Sequence, residues 1–128
     1  MSGYLLDTHA LLWWLADDPQ LPTATKTLIA DPGNRVFVSA ASIWEAGIKR
    51  ALGKLEISAE LPLADIADDE GFTPLPISLQ HAAAAAALPP HHRDPFDRML
   101  VAQAASDGLV LLSRDVALKR YGVAVRWN

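Results

Sequence analysis

Residues 109–115 read Leu-Val-Leu-Leu-Ser-Arg-Asp. Four consecutive apolar residues, introduced by Asp107-Gly108 and followed by a polar turn, predict a strand covered on both faces, because a strand with one wet face alternates apolar with polar. Such a strand belongs near the middle of a parallel sheet with helices on either side. The same succession of strand, polar turn and helix recurs in both directions. Tyr4-Leu5-Leu6 stops abruptly at Asp7-Thr8, after which Leu11, Leu12 and Leu15 repeat at helical spacing until Asp17-Asp18-Pro19. A second helical segment runs from Thr23 to Ala30 and ends at Asp31-Pro32-Gly33-Asn34. Val36-Phe37-Val38 is the next strand, with Ser39 and Ser42 as cap candidates for a helix carrying Ile43, Trp44, Gly47, Ile48 and Leu52. Leu63, Ile66 and Ala67 predict a helix closed by Gly71, and Pro74 and Pro76 make Phe72 to Ile77 a short or edge strand.

Ser78 caps a helix through the alanine run to Leu88, where Pro89-Pro90 ends it. After the loop His91 to Pro95, a helix starts at Phe96 or Asp97 and runs to Ser106. Beyond Asp115, a short helix to Tyr121-Gly122 and a strand Val123-Ala124-Val125 complete the chain. The count is five strands alternating with helices, which predicts an α/β fold with a mainly parallel sheet covered on both faces.

With 128 residues, 51% hydrophobic and 20% charged, the chain reads as a single domain with a proper core, and disordered, collagen-like and disulfide-scaffold classes are excluded. A net charge of −4 provides no basic coat, so contact with nucleic acid must be local or bridged by metal. The absence of cysteine removes thiolate sites and Cys nucleophiles. The start Met1-Ser2-Gly3-Tyr4 lacks the basic and apolar regions of a signal peptide, and the stretch Ala82 to Leu88 falls far short of the ~20 residues of a membrane span, so a cytoplasmic protein is expected.

Ligands of open parallel sheets bind beyond the carboxyl ends of the strands. Asp7 directly follows the first strand, Glu45 lies in the helix after the second, and Asp115 stands just past the strand at 109–112. Asp94 and Asp97 open the helix before that strand and reach the same edge if the helix starts there. Each acid also has a plainer reading. Asp7, Asp94 or Asp97, and Asp115 suit helix caps, and Glu45 follows Ser42 at the spacing of a capping box unless the helix starts near Ala40. Acids from separate segments aimed at one edge fit a shared site better than independent caps. Packed together they repel by roughly 4 kcal/mol per pair at about 4 Å and an effective dielectric near 20. They require a cation, and an oxygen donor set without Cys or a suitable His pair selects Mg²⁺ or Mn²⁺ over Zn²⁺. That chemistry suits a phosphodiester substrate.

Asp7-Thr8-His9 with Leu11 to Trp14, residues 39–49 as SAASIWEAGIK, residues 92–105 as HRDPFDRMLVAQAA, and Ser113-Arg114-Asp115 together resemble the PIN-domain ribonucleases, nearest to VapC-type toxins of bacterial toxin-antitoxin systems. The resemblance covers nearly the whole chain in the right order. It implies a three-layer α/β/α fold and a Mg²⁺- or Mn²⁺-dependent endoribonuclease. Its acids fall on Asp7, Glu45, Asp97 and Asp115, with Asp7 and Asp97 as principal metal ligands and Asp94 as an extra acid of the DPFDR subgroup. Where many relatives have Thr or Asn before the fourth acid, this chain has Ser113-Arg114. The resemblance further implies an RNA substrate, a cognate antitoxin and a homodimer.

Arg98 and Arg114 flank acids and either hold the RNA phosphate or pair with the carboxylates, pairing being the first choice. Lys49, Arg50 and Lys54 form a small basic cluster that either tracks an RNA backbone or is a solvated helix face. His91 and His92 beside Asp94 suggest zinc, but adjacent loop histidines point apart and lack a third nitrogen ligand. His9 either donates into the pocket or is structural, and Trp13, Trp14 and Trp44 suit core and dimer surface better than base stacking. Three other readings compete. A haloacid-type phosphatase needs an acid two residues after the first, where His9 stands. A phospho-receiver needs an acceptor acid after the third strand, where Pro74-Leu75-Pro76 stands. A non-catalytic interaction module has no need of a full set of acids.

Overall fold

The computed structural model describes residues 3–55 and 61–128. In chain order it contains β1 (Gly3–Leu6), α1 (Thr8–Leu15), α2 (Thr23–Ala30), β2 (Arg35–Ser39) and α3 (Ala40–Ala51). A 3-10 turn (Leu63–Asp65) runs into α4 (Ile66–Glu70), followed by β3 (Thr73–Leu75), α5 (Leu79–Ala87), α6 (Pro95–Asp107) and β4 (Val110–Leu112). A 3-10 helix (Val116–Tyr121) and β5 (Val125–Arg126) end the chain. The five strands form one sheet in the order β3-β2-β1-β4-β5. Every pairing is parallel, with Leu5 beside Phe37 and Leu111, and Leu111 beside Val125. The sheet is thus wholly rather than mainly parallel, and the proline-bearing β3 lies at its edge as the sequence predicts.

Strand alternation divides the core into two layers. Tyr4 and Leu6 of β1, Val36 and Val38 of β2 and Leu112 of β4 face α1, α2 and α4 through Leu11, Ile29, Ile66 and Phe72. Leu5 and Leu111 face the opposite way and pack against Leu100, Val101 and Ala104 of α6, with Leu118 and Val125. Leu5, Leu6, Leu11, Leu100, Leu111 and Leu112 are fully buried, each contributing about 1.5–3 kcal/mol relative to exposure. Helices on both faces of the sheet make the three-layer α/β/α sandwich. One polar group crosses this apolar interior at no hydrogen-bonding cost. Gln103 of α6 is fully buried, its side-chain oxygen accepts the Ser39 hydroxyl at 2.5 Å, and its amide donates to the Pro76 carbonyl at 3.3 Å.

Several boundaries differ from the sequence expectation. The last strand lies at Val125–Arg126, nearer the C-terminus than Val123 to Val125, because Gly122 takes a left-handed φ of 82° and the chain needs two more residues to reach β4. The segment Leu63 to Gly71 divides into a 3-10 turn and a five-residue helix, and α6 starts at Pro95, whose fixed φ suits a first helical position. Ser39 rather than Ser42 caps α3, accepting the Ala41 N–H at 3.0 Å. Among the described residues no helix is long and apolar enough to cross a membrane.

Candidate metal and active site

Because β1, β2 and β4 are parallel neighbours, their carboxyl ends share one edge of the sheet. Asp7 leaves β1 at that edge. Its N–H donates to the Leu112 carbonyl at 3.1 Å, fastening it to the end of β4, and its carboxylate accepts the Ala10 N–H at 2.8 Å to cap α1. The capping role and the site position coincide in one residue. Asp7 is 6% exposed, and burial raises its pKa. Hydrogen bonds from the Ser113 hydroxyl and Ala10, and the nearby His9, partly offset that rise, whereas Glu45 adds to it. Ser113 is fully buried, and its oxygen also accepts the Asp115 N–H at 3.0 Å, so one hydroxyl ties the first acid to the fourth.

Glu45 enters from α3. With Ser39 as cap, Glu45 lies in the second turn, so the capping-box reading with Ser42 does not hold. Ser42 is instead buried and accepts the Thr8 hydroxyl at 3.1 Å, joining α1 to α3 behind the site. Glu45 is also 6% exposed and pairs with Lys49 one turn on at 2.9 Å.

The loop before α6 delivers the remaining groups. Asp94 caps α6, accepting the N–H groups of Phe96 at 2.8 Å and Asp97 at 3.3 Å. Since α6 returns toward the start of β4, its N-terminus opens at the same edge as Asp7, and Asp97 is carried there. Desolvation is the main cause that pushes the Asp97 pKa up to about 7, and Asp94, Asp7 and Glu45 each raise it further while His92 opposes them. Asp115, the cap of the last 3-10 helix through Ala117 N–H at 3.1 Å, completes the group.

His92, weighed in the sequence only as a zinc ligand, stands among the acids. Its Nε2 lies 3.1 Å from Asp115 Oδ2 and 3.5 Å from Asp97 Oδ2, while its Nδ1 accepts the Asp94 N–H at 3.1 Å. Occupation of Nδ1 leaves the ring proton on Nε2, aimed between two carboxylates. His92, Asp97 and Asp115 each offer a ligand atom within 4.8 Å of the others. The available signal was the proximity of His92 to Asp94 and Asp97, but its relation to Asp115 spans 23 residues. His91 points elsewhere and packs at a tilt against Tyr121, so the two adjacent histidines do diverge.

Neither arginine pairs with a carboxylate among the described residues, which corrects the pairing expected of them. Arg98 donates to the carbonyls of Ala85, Leu88 and Pro89 at 3.0 Å each and to His92 at 3.4 Å, and among the described residues it pairs with no acid. It clamps the end of α5 to the loop that holds His92 by gathering carbonyls from the last helical turn and from the loop on one guanidinium. Arg114 lies over the Trp13 ring at 4.9 Å instead of on a carboxylate. In the basic cluster Lys49 is taken by Glu45, Arg50 donates to the Leu61 carbonyl at 2.8 Å, and Lys54 is exposed. His9 is exposed and stacks on Trp13, while Trp14 donates to Glu70 and packs on Phe72. Trp44 is 64% exposed.

The donor set fits a hard divalent cation. Acids from four segments stand at this edge, Asp7 and Glu45 buried and Asp97 and Asp115 partly exposed, and burial raises the pKa of Asp7 and Asp97. The PIN-domain family model matches residues 4–124. In sequence the chain is 28% identical over 127 residues to Ribonuclease VapC22 of Mycobacterium tuberculosis, covering 94% of this chain and 93% of that protein. In fold it is similar to VapBC2 of Rickettsia felis bound to a promoter DNA fragment, with a TM-score of 0.70, 14% identity and coverage of 98% and 99%. DNA-bound VapBC of Salmonella typhimurium gives the same TM-score at 18% identity, with 98% of each chain covered. A match spanning nearly every element, with the acids at the shared sheet edge, places this chain in the PIN-domain family.

Proposed function

We propose that this protein is a metal-dependent endoribonuclease, the toxin of a toxin-antitoxin pair, cutting RNA phosphodiester bonds in the cytoplasm. The observation that carries the reading is the gathering of Asp7, Glu45, Asp94 and Asp97 at one sheet edge, near enough that burial together with the other three acids pushes the Asp97 pKa up to about 7. Asp7 and Asp97 are the principal ligands for Mg²⁺ or Mn²⁺, and Glu45 and Asp115 complete the site. Such an ion, when bound, supplies positive charge to the phosphodiester and lowers the pKa of water. The chain's own residues prepare the place. Ser113 and the Ala10 N–H orient Asp7, Lys49 holds Glu45, and Asp94 sets the N-terminus of α6 so that Asp97 points inward. His92 holds Asp115 beside Asp97.

VapBC complexes among the chains of similar fold support a cognate antitoxin as partner, and a homodimer is proposed from the family resemblance alone. Trp44 and Ile48 of α3 and Leu52 just past its end, at 64%, 38% and 63% exposure, supply an apolar face for a protein partner.

The test is incubation of the purified, antitoxin-free chain with total RNA and Mg²⁺ or Mn²⁺. Discrete cleavage is expected, abolished by EDTA and by Asp7→Asn, whose folded state is checked by circular dichroism. Cleavage undiminished in folded Asp7→Asn would sink the reading.

A further inference from the structure

Ser39, Ser42 and Glu45 stand at every third position of the sequence, Ser39 as the cap of α3 and the other two within it, so they follow one stripe along its buried side. Both serines are fully buried, and each hydroxyl is hydrogen-bonded to a different helix. Ser39 donates to the Gln103 side-chain oxygen on α6 at 2.5 Å, and Ser42 accepts the Thr8 hydroxyl on α1 at 3.1 Å. Asp97 belongs to α6, and Thr8 directly follows Asp7. The helix that carries Glu45 is thus bridged, inside the protein, to the two segments that carry Asp7 and Asp97.

Gln103 is held in one orientation. Its amide nitrogen faces two acceptors, the Pro76 carbonyl at 3.3 Å and His81 Nδ1 at 3.4 Å. His81 Nδ1 also accepts the Ser78 N–H at 3.1 Å, while Nε2 lies 3.2 Å from Asp107 Oδ1, so the ring proton is on Nε2 and Nδ1 is bare. A flipped amide would turn its oxygen onto these two acceptors, so the oxygen is directed at Ser39. At the other bridge Thr8 is 3% exposed, and a partner deprived of its bond there stays shut off from water.

The acids supply the force that the bridges oppose. Glu45 is near enough to Asp7 and Asp97 to raise the pKa of both, and like charges press α3 away from α1 and α6 until a cation joins them. Glu45 lies six residues beyond Ser39, about 9 Å along a helix axis, so a tilt about a loosened cap displaces its carboxylate. We propose that Gln103 and Thr8 are positioning residues of the site, acting through Ser39 and Ser42 to keep Glu45 beside Asp7 and Asp97. The assignment rests on the metal-site reading and adds to it two residues that stand behind the acids.

The experiment measures Mn²⁺ affinity by calorimetry on the full, antitoxin-free chain, and the seat of α3 by ¹⁹F resonance of a fluorotryptophan-labelled chain. Trp44 of α3 meets the edge of Phe96 of α6 with ring centroids 5.3 Å apart, so its signal, assigned by its loss in Trp44→Phe, follows the packing of one helix on the other. Gln103→Leu and Thr8→Val should each weaken Mn²⁺ binding roughly tenfold, and Gln103→Leu should shift the Trp44 signal before any metal is added. In a Glu45→Gln background neither substitution should weaken binding further, because both act through Glu45. Leu109→Ala, a core truncation at the end of β4 away from Asp115, should lower stability and leave Mn²⁺ affinity and the Trp44 signal as in the wild type.

Wild-type Mn²⁺ affinity and an unmoved Trp44 signal in the Gln103 and Thr8 variants would overturn the proposal and leave the nuclease reading standing. A loss of affinity that persists in full on the Glu45→Gln background, or that Leu109→Ala reproduces, would assign the effect to general destabilisation and overturn it equally. A folded wild type that binds no Mn²⁺ would remove the metal-site reading and the positioning role together, a failure visible in the wild type alone.

Discussion

Asp97 shows how a single side chain records the needs of its surroundings. Its pKa lies near 7 in the folded chain against an ordinary value of 3.8, so the folded state binds more protons than the unfolded state between these limits. Stability of the metal-free protein therefore falls as pH rises from about 4 to about 7 and stays reduced above that. Asp97→Asn removes the charge while keeping the shape, and at pH 8 without metal it should raise Tm by roughly 5 °C. At pH 4, where the carboxyl is already largely protonated, the gain should shrink to near zero. Thermal melts of the two chains at both pH values check this, and an equal gain at both would contradict the electrostatic cause.

At the scale of elements, the site depends on how the 88–94 loop is fastened. Arg98 gathers carbonyls from Ala85, Leu88, Pro89 and His92, and so positions the histidine that spans Asp97 and Asp115. Arg98→Ala should cost about 2 kcal/mol in urea unfolding, since it leaves several carbonyls without a charged donor. It should also weaken Mn²⁺ binding measured by calorimetry, although Arg98 touches no acid. Retained Mn²⁺ affinity in that variant would separate the clamp from the site. Within the core, Gln103→Leu leaves the Ser39 hydroxyl without its partner at the foot of α3, and a loss of about 1–3 kcal/mol is expected by the same measurement.

For the whole molecule, acids from separate segments repel across the sheet edge, and a cation shared among them acts as a cross-link. Mn²⁺ should therefore raise Tm, by an amount equivalent to about 2.7 kcal/mol at a hundredfold excess over Kd. The increase should be larger at pH 8 than at pH 5, because protons compete for Asp97 and Asp7 at the lower value. Scanning calorimetry with and without EDTA tests it, and a rise independent of pH would place the ion elsewhere.

Much of this architecture is legible along the chain. The continuous apolar run 109–112, the punctuation by Gly and Pro and the recurrence of strand then helix determine a parallel α/β sheet, because period and turn chemistry are local properties. The positions of Asp7 and Asp115 just past strands follow from the same local signals. Other features arise only when distant segments meet. Arg98 beside two acids in sequence reads as their partner, yet the fold brings its guanidinium onto the carbonyls of the α5 end and of the loop after it. His92 becomes a bridge to Asp115, and Ser113 a shared donor and acceptor, only because parallel pairing aligns the ends of β1 and β4. The raised pKa of Asp97 likewise requires burial together with Asp94, Asp7 and Glu45, a sum over space that no single stretch of sequence contains.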